Sequence, residues 1–106
     1  MLRIHSVIIE TIRATAPLAM VIARQDRDLA GQYRRALTSA ALNVAEGSNQ
    51  RGARRASHYS IALGSAQEAW SALLAAEAWG IAVPPADVAS RFRQIVGTLH
   101  RVVHPR

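Results

Sequence analysis

Apolar residues recur at three- and four-residue steps along four stretches of the chain, and polar or helix-breaking residues separate these stretches. Such spacing places apolar side chains on one face of an α-helix. The pattern predicts helices at about Arg3–Arg24, Leu29–Glu46, Arg54–Trp79 and Pro85–His104. Because helices joined by short connections pack as neighbours, we predict an all-α fold, an antiparallel up-down four-helix bundle.

Several residues are expected to mark helix ends or irregularities. Asp26 and Asp28 form a polar connection with a candidate N-cap for the second helix. Gly47 is expected to close that helix as a left-handed residue, and the third helix is expected to end at Gly80. Pro17 lies inside the first helix, where a proline removes a backbone hydrogen bond. We therefore expect a kink in the turn before Pro17, or two helical pieces.

A structural role is predicted for a group of residues in the second and third helices: Asn43, Glu46, Gly47, Gly64, Ser65 and Glu68. Gly64 and Ser65, with neighbouring alanines, are expected to let the two helices approach closely. A buried carboxylate needs a partner, and the candidates for Glu46 are backbone N–H groups, Arg34 and Arg35. We interpret Glu46 and Glu68 as groups that specify the fold rather than as catalytic residues.

The composition is that of one small helical domain. The 106 residues are expected to form a single unit over residues 1–106, and half of them are apolar. The chain has no cysteine, which excludes disulfides and thiolate metal sites and favours a reducing compartment, so we expect a cytoplasmic protein. Glu10 and Arg13 interrupt the apolar start of the chain, and we predict no targeting or membrane-spanning segment.

The charge is strongly positive and unevenly distributed. The net charge is +6, and all 13 basic residues are arginines. Residues 24–56 hold seven arginines against three acids, and most of these arginines form the candidate nucleic-acid-binding set: Arg34, Arg35, Arg51, Arg54 and Arg55. A guanidinium pairs with phosphate through two parallel hydrogen bonds, so the set suits a polyanion. One alternative is pairing of Arg34 or Arg35 with Glu46 or Asp28, inside the bundle or across subunits. Another is a GC-rich genome that favours arginine codons.

No catalytic constellation is visible in the sequence. A carboxylate-bridged dimetal site in a bundle needs Glu-x-x-His motifs, and no glutamate of this chain has a histidine three residues later. His100 and His104 are four residues apart, but two ligands near a chain end make an incomplete metal site. No catalytic triad or nucleotide-binding glycine loop is present either. We therefore expect no enzymatic activity, no metal and no cofactor.

Two motifs carry a family resemblance. The second helix reads Q-Y-R-R-A at 32–36, serine at 39 and N-V-A-E-G at 43–47, and the third reads A-L-G-S-A-Q-E at 62–68. This pattern resembles the four-helix bundle family of 23S ribosomal RNA intervening-sequence proteins. The resemblance covers residues 26–80 well and the flanking helices loosely. The chain departs from common members in having Pro17 and in having arginines in place of lysines.

The resemblance implies an all-helical protomer that assembles into a ring, commonly a homopentamer, with a basic face. It also implies kinship to the accessory variability determinant of diversity-generating retroelements, which partners a reverse transcriptase and binds RNA and DNA. The expected function is therefore nonspecific nucleic-acid binding by a homo-oligomer, as an accessory to a reverse transcriptase or a ribosomal RNA-associated element. The alternative is a protein–protein adaptor or scaffold without a nucleic-acid role.

Overall fold

The computed structural model describes residues 2–105, and within that range it contains four α-helices and no strand. The helices are α1 (Ile4–Gln25), α2 (Arg27–Ser48), α3 (Gly52–Ala78) and α4 (Ala86–Val103). The all-helical class and the order of the four helices are as predicted. The clearest difference in boundaries is α2, which extends two residues beyond the predicted range at each end.

The four helices enclose one core, in which each helix packs against two others. α1 contacts α2 and α4, and α3 contacts the same two helices, with the most extensive contact between α2 and α3. Alanines fill much of the α2–α3 contact, which allows the two backbones to approach closely. Three aromatic residues pack together in the bundle. The ring centroid of Phe92 lies 5.4 Å from that of Trp70 and 6.4 Å from that of Tyr33. The architecture is a four-helix bundle.

Two of the residues expected to mark helix ends, Asp26 and Gly80, do so. Asp26 is the N-cap of α2, and its side chain accepts a hydrogen bond of 2.9 Å from the backbone N–H of Leu29. Gly80 follows the end of α3 with a φ of +75°, a conformation that favours glycine. The N–H of Gly80 donates to the carbonyl of Glu77, and that of Ile81 donates to the carbonyl of Ala76. This is a Schellman motif, which satisfies carbonyls at the helix end.

The predicted role of Gly47 as the left-handed end of α2 is wrong. α2 continues to Ser48, and Gly47 is not among the glycines with positive φ. Gly47 instead faces α3, where a Cβ would lie 2.6 Å from Cε1 of Tyr59. The glycine is therefore needed for the close approach of an aromatic ring and not for a turn.

Pro17 does not divide α1. The helix is continuous from Ile4 to Gln25, so the expectation of two helical pieces is wrong. Pro17 is exposed, and solvent can satisfy the carbonyl that has lost its N–H partner one turn earlier. The opposite face of α1 carries buried Thr11 and Thr15, each of which donates its hydroxyl to the carbonyl four residues before it. These local bonds satisfy both hydroxyls inside the core.

Candidate nucleic-acid interface

The structure divides the candidate arginines into two groups. All of them are exposed. Arg34 and Arg35 lie in the first half of α2, whereas Arg51, Arg54 and Arg55 lie in the α2–α3 connection and the first turn of α3; we call these three the loop arginines. At 1.5 Å per helical residue, Arg35 lies about 20 Å along the α2 axis from Ser48, where the connection that carries the loop arginines begins. The five residues thus form two separate basic surfaces.

Neither group is neutralised by an acid within residues 2–105. The ion pairs in that range join Arg91 to Glu10 at 3.9 Å and to Asp87 at 3.8 Å. Glu46 is exposed, and the proposed internal pairing of Arg34 or Arg35 with Glu46 or Asp28 does not occur. The arginine side chains of both groups therefore present charge to solvent.

Arg55 also has a structural role that sequence reasoning missed. Its Nε donates a hydrogen bond of 2.9 Å to the carbonyl of Gln50 and one of 3.3 Å to the carbonyl of Gly47. These carbonyls lie at and just beyond the C-terminal end of α2, where a cation is favoured by the helix dipole. Arg55 thereby holds the connection in place, whereas the side chains of Arg51 and Arg54 make no hydrogen bond to another residue within the described range.

A line of polar side chains joins α2 to α3 beside the loop arginines. Oδ1 of Asn43 accepts a hydrogen bond of 3.0 Å from Nδ1 of His58, and Nδ2 of Asn43 donates to the carbonyl of Ser39 at 2.9 Å. The hydroxyls of Ser39 and Ser65 are 2.9 Å apart. Further along, the hydroxyls of Ser48 and Tyr59 are 3.3 Å apart. Asn43 and Ser65 therefore serve to align the two helices.

Three residues with predicted structural roles face solvent. Glu46 and Glu68 are exposed, so neither is the buried, paired carboxylate that the motif suggested. Gly64 is exposed too, and a Cβ added there would have nothing within 4 Å. The expectation that Gly64 brings α2 and α3 together is wrong, because this side of α3 points away from α2.

A surface groove of about 640 Å³ runs between α1 and α2. Small residues form about half of its walls, Arg27 and Arg34 lie at the α2 side, and buried Thr15 and Tyr33 lie at its base. The Tyr33 hydroxyl donates to Oγ1 of Thr15 at 2.7 Å. Burial raises the pKa of Tyr33 to about 12, against the opposing effect of this hydrogen bond. Sequence reasoning missed the groove because it arises only when the two alanine-rich helices meet.

A second depression of about 470 Å³ continues along α2. It shares Gly31, Arg34 and Thr38 with the first groove and extends to Leu42. The guanidinium of Arg35 borders it and folds back over Gly31, with Nη1 2.9 Å from the position that a glycine Cβ would take. The outer side of α2 therefore offers a continuous, basic and partly apolar surface.

Within residues 2–105, no group of three or more histidine, aspartate or glutamate side chains is arranged to hold a metal ion. The rings of His100 and His104 lie 4.7 Å apart, and no carboxylate joins them. α1 is long and apolar enough to cross a membrane by length and composition, a test that a core helix of a soluble protein also passes. The predicted absence of a membrane span stays a prediction.

Comparison with protein-family models, curated proteins and solved structures finds no match to this chain. The resemblance to the intervening-sequence proteins therefore rests on the motifs in α2 and α3 and remains a prediction.

Proposed function

We propose that this chain is a non-enzymatic, basic, homo-oligomeric four-helix bundle that binds RNA or DNA without sequence specificity. The observation that carries the proposal is the exposure of the loop arginines, which have no acidic partner within the described residues. Arginines contacting phosphates add affinity without reading bases. The family likeness supports a cytoplasmic role as an accessory to a reverse transcriptase or a ribosomal RNA-associated element.

The geometry of the loop arginines favours contact with a nucleic-acid backbone. Arg55 is anchored to the end of α2, so the connection that carries its neighbours is held in one arrangement. Arg51 and Arg54 project from this fixed base into solvent. Since little additional ordering is needed on binding, phosphate contacts there lose less entropy than contacts from a free loop.

We further propose that neighbouring helices run antiparallel in up-down order. Support comes from contacts between residues far apart in the chain, at Thr15–Tyr33, Ser39–Ser65 and Trp70–Phe92. If α1 and α2 formed one straight helix, Thr15 and Tyr33 would be about 27 Å apart, yet their hydroxyls are hydrogen-bonded. Each connection therefore acts as a hairpin in this proposal, and the family likeness favours a ring of five such protomers.

A salt titration of binding tests the nucleic-acid function. The wild-type chain should bind a labelled duplex DNA and an RNA hairpin of unrelated sequence, with affinity that falls as salt rises. The variant Arg51→Gln/Arg54→Gln should weaken both and flatten the slope of log K against log salt by about 1.8 for duplex DNA, if each guanidinium neutralises one phosphate. Arg55 is left intact because it holds the connection.

Arg93→Gln is the matched control, because Arg93 is an exposed arginine on α4, away from the connection. The proposed site is supported if Arg93→Gln changes the nucleic-acid affinity little and the double variant lowers it strongly. Absence of binding by the wild type at low salt contradicts the proposed function. Equal losses in the control and the double variant contradict the assignment to the loop arginines.

A further inference from the structure

The α1–α2 groove carries positive charge with no acid in its lining. Arg27 and Arg34 border it two helical turns apart, about 10.5 Å along α2. Met20, on the α1 side of the groove, is 63% exposed, and Leu42 in the adjoining depression is 62% exposed. A surface of this kind combines apolar contact area with unpaired guanidinium groups. This surface suits a helical partner that has small side chains and a carboxylate on one face.

The outer face of α3 has the complementary properties. Ile61, Gly64, Glu68 and Ser71 are exposed and recur at three- and four-residue steps, so they line one side of the helix. Gly64 leaves open space at the centre of this face, and Leu74 continues it with 44% of its surface exposed. From residue 56 to residue 90 the chain has three acids and no arginine. The only charged side chain among these face residues is a carboxylate.

The two surfaces cannot meet within one chain. α2 and α3 are neighbours in the bundle, but their contact uses the buried alanines and the Ser39–Ser65 pair, and the groove and the Glu68 face both open to solvent. None of the ion pairs within residues 2–105 joins α2 to α3. The opposite charges on the two helices are therefore available to a second copy.

We propose that the outer face of α3 from one protomer docks into the α1–α2 groove of the next, with Glu68 pairing with the partner's Arg34. This proposal rests on the homo-oligomeric part of the proposed function and names its interface. Gly64 and Ser71 leave little side-chain bulk on either side of Glu68, and small residues form much of the groove wall, so the two surfaces can approach closely there. Arg34 is favoured over Arg27 because it borders both depressions of the groove surface.

This contact joins two different surfaces, so each protomer offers one to each of two neighbours. Repetition of such a heterologous contact closes into a ring when the rotation between protomers allows it. The arrangement separates the two groups of arginines by role: Arg34 takes part in assembly, and the loop arginines stay available to a polyanion.

Charge reversal tests the contact. Glu68→Arg and Arg34→Glu should each raise the dissociation constant of self-association at least about tenfold, because each places like charges together. Combining both changes should return the constant to within about threefold of wild type, since the ion pair is restored with reversed polarity. The measurement is sedimentation velocity over a range of concentrations of the full chain, with circular dichroism confirming that each variant is folded.

Glu77→Arg is the matched control on the same helix. Glu77 is exposed and lies nine residues beyond Glu68, which places it on the opposite side of α3. A wild-type chain that stays monomeric overturns the interface. So does a Glu68→Arg variant with the same dissociation constant as the Glu77→Arg control. A double variant that associates as weakly as the single variants overturns it as well. Nucleic-acid affinity is measured separately with the Arg51→Gln/Arg54→Gln variant. A negative result in the nucleic-acid assay therefore does not contradict the interface, and a negative result in the self-association assay does not contradict nucleic-acid binding.

Discussion

Gly47 on α2 and Gly64 on α3 offer a direct test of the packing between these two helices. Gly47 and Gly64 both lie inside helices with ordinary helical φ. A Cβ at Gly47 would lie 2.6 Å from Cε1 and 2.8 Å from Cδ1 of Tyr59, a residue that is only 5% exposed. A Cβ at Gly64 would contact nothing within 4 Å. The same Gly→Ala change should therefore have opposite effects at the two positions.

The expected magnitudes follow from two terms. Alanine in a helix interior is favoured over glycine by about 0.5–1 kcal/mol, and this term applies at both sites. Overpacking a buried site costs about 1–3 kcal/mol, and this term applies to Gly47 alone. Gly64→Ala should therefore raise the free energy of unfolding by about 0.5–1 kcal/mol, whereas Gly47→Ala should lower it by about 1 kcal/mol. The difference between the two variants measures the steric clash itself.

Urea unfolding followed by circular dichroism measures both variants against wild type. Because Gly64 lies on the face proposed to dock with a second copy, the measurement belongs at a dilution where the midpoint no longer depends on protein concentration. If Gly47→Ala is as stable as Gly64→Ala, the Tyr59 ring does not constrain Gly47, and the close approach of α2 and α3 at this point is incorrect.

Three further predictions concern the remaining contacts. The folded chain should lose stability as pH rises from 10 to about 12, because the unfolded chain releases the Tyr33 proton at the ordinary tyrosine pKa whereas the folded chain holds it up to about 12. The loss in free energy of unfolding is up to about 2.7 kcal/mol. Urea unfolding between pH 10 and 12 should show that the Tyr33→Phe variant loses less stability than wild type over this range. An equal loss in both proteins would contradict the raised pKa of Tyr33. Asn43→Ala should lower the free energy of unfolding by about 1–3 kcal/mol, because it removes the hydrogen-bond partner of half-buried His58 and a bond to the carbonyl of Ser39; an unchanged urea midpoint would be inconsistent with the polar line between α2 and α3. Arg91→Ala should change the free energy of unfolding by no more than about 1 kcal/mol, because the ion pairs of Arg91 are long and largely exposed. A larger change, measured by thermal unfolding, would show that the side chain of Arg91 stabilises the fold through packing.

The parts of the structure that the sequence predicted well depend on local interactions. Asp26 caps α2 through a bond to Leu29, and Gly80 ends α3 through bonds within one turn. Helix position follows in the same way from apolar spacing along a single stretch. The candidate site was predicted less well, because a run of arginines in sequence says nothing about how they divide between surfaces.

Sequence alone determined the all-helical class, the four helices, their order and the excess of arginine, since composition, periodicity and caps are properties of short segments. Tertiary structure decided that Gly47 meets Tyr59, that Gly64 and Glu68 face solvent, and that Arg55 holds the end of α2. Periodicity shows that a helix has a buried side, but small residues occur on both sides of α2 and α3, so only packing against the other helices selects which glycine is covered and which charge stays exposed.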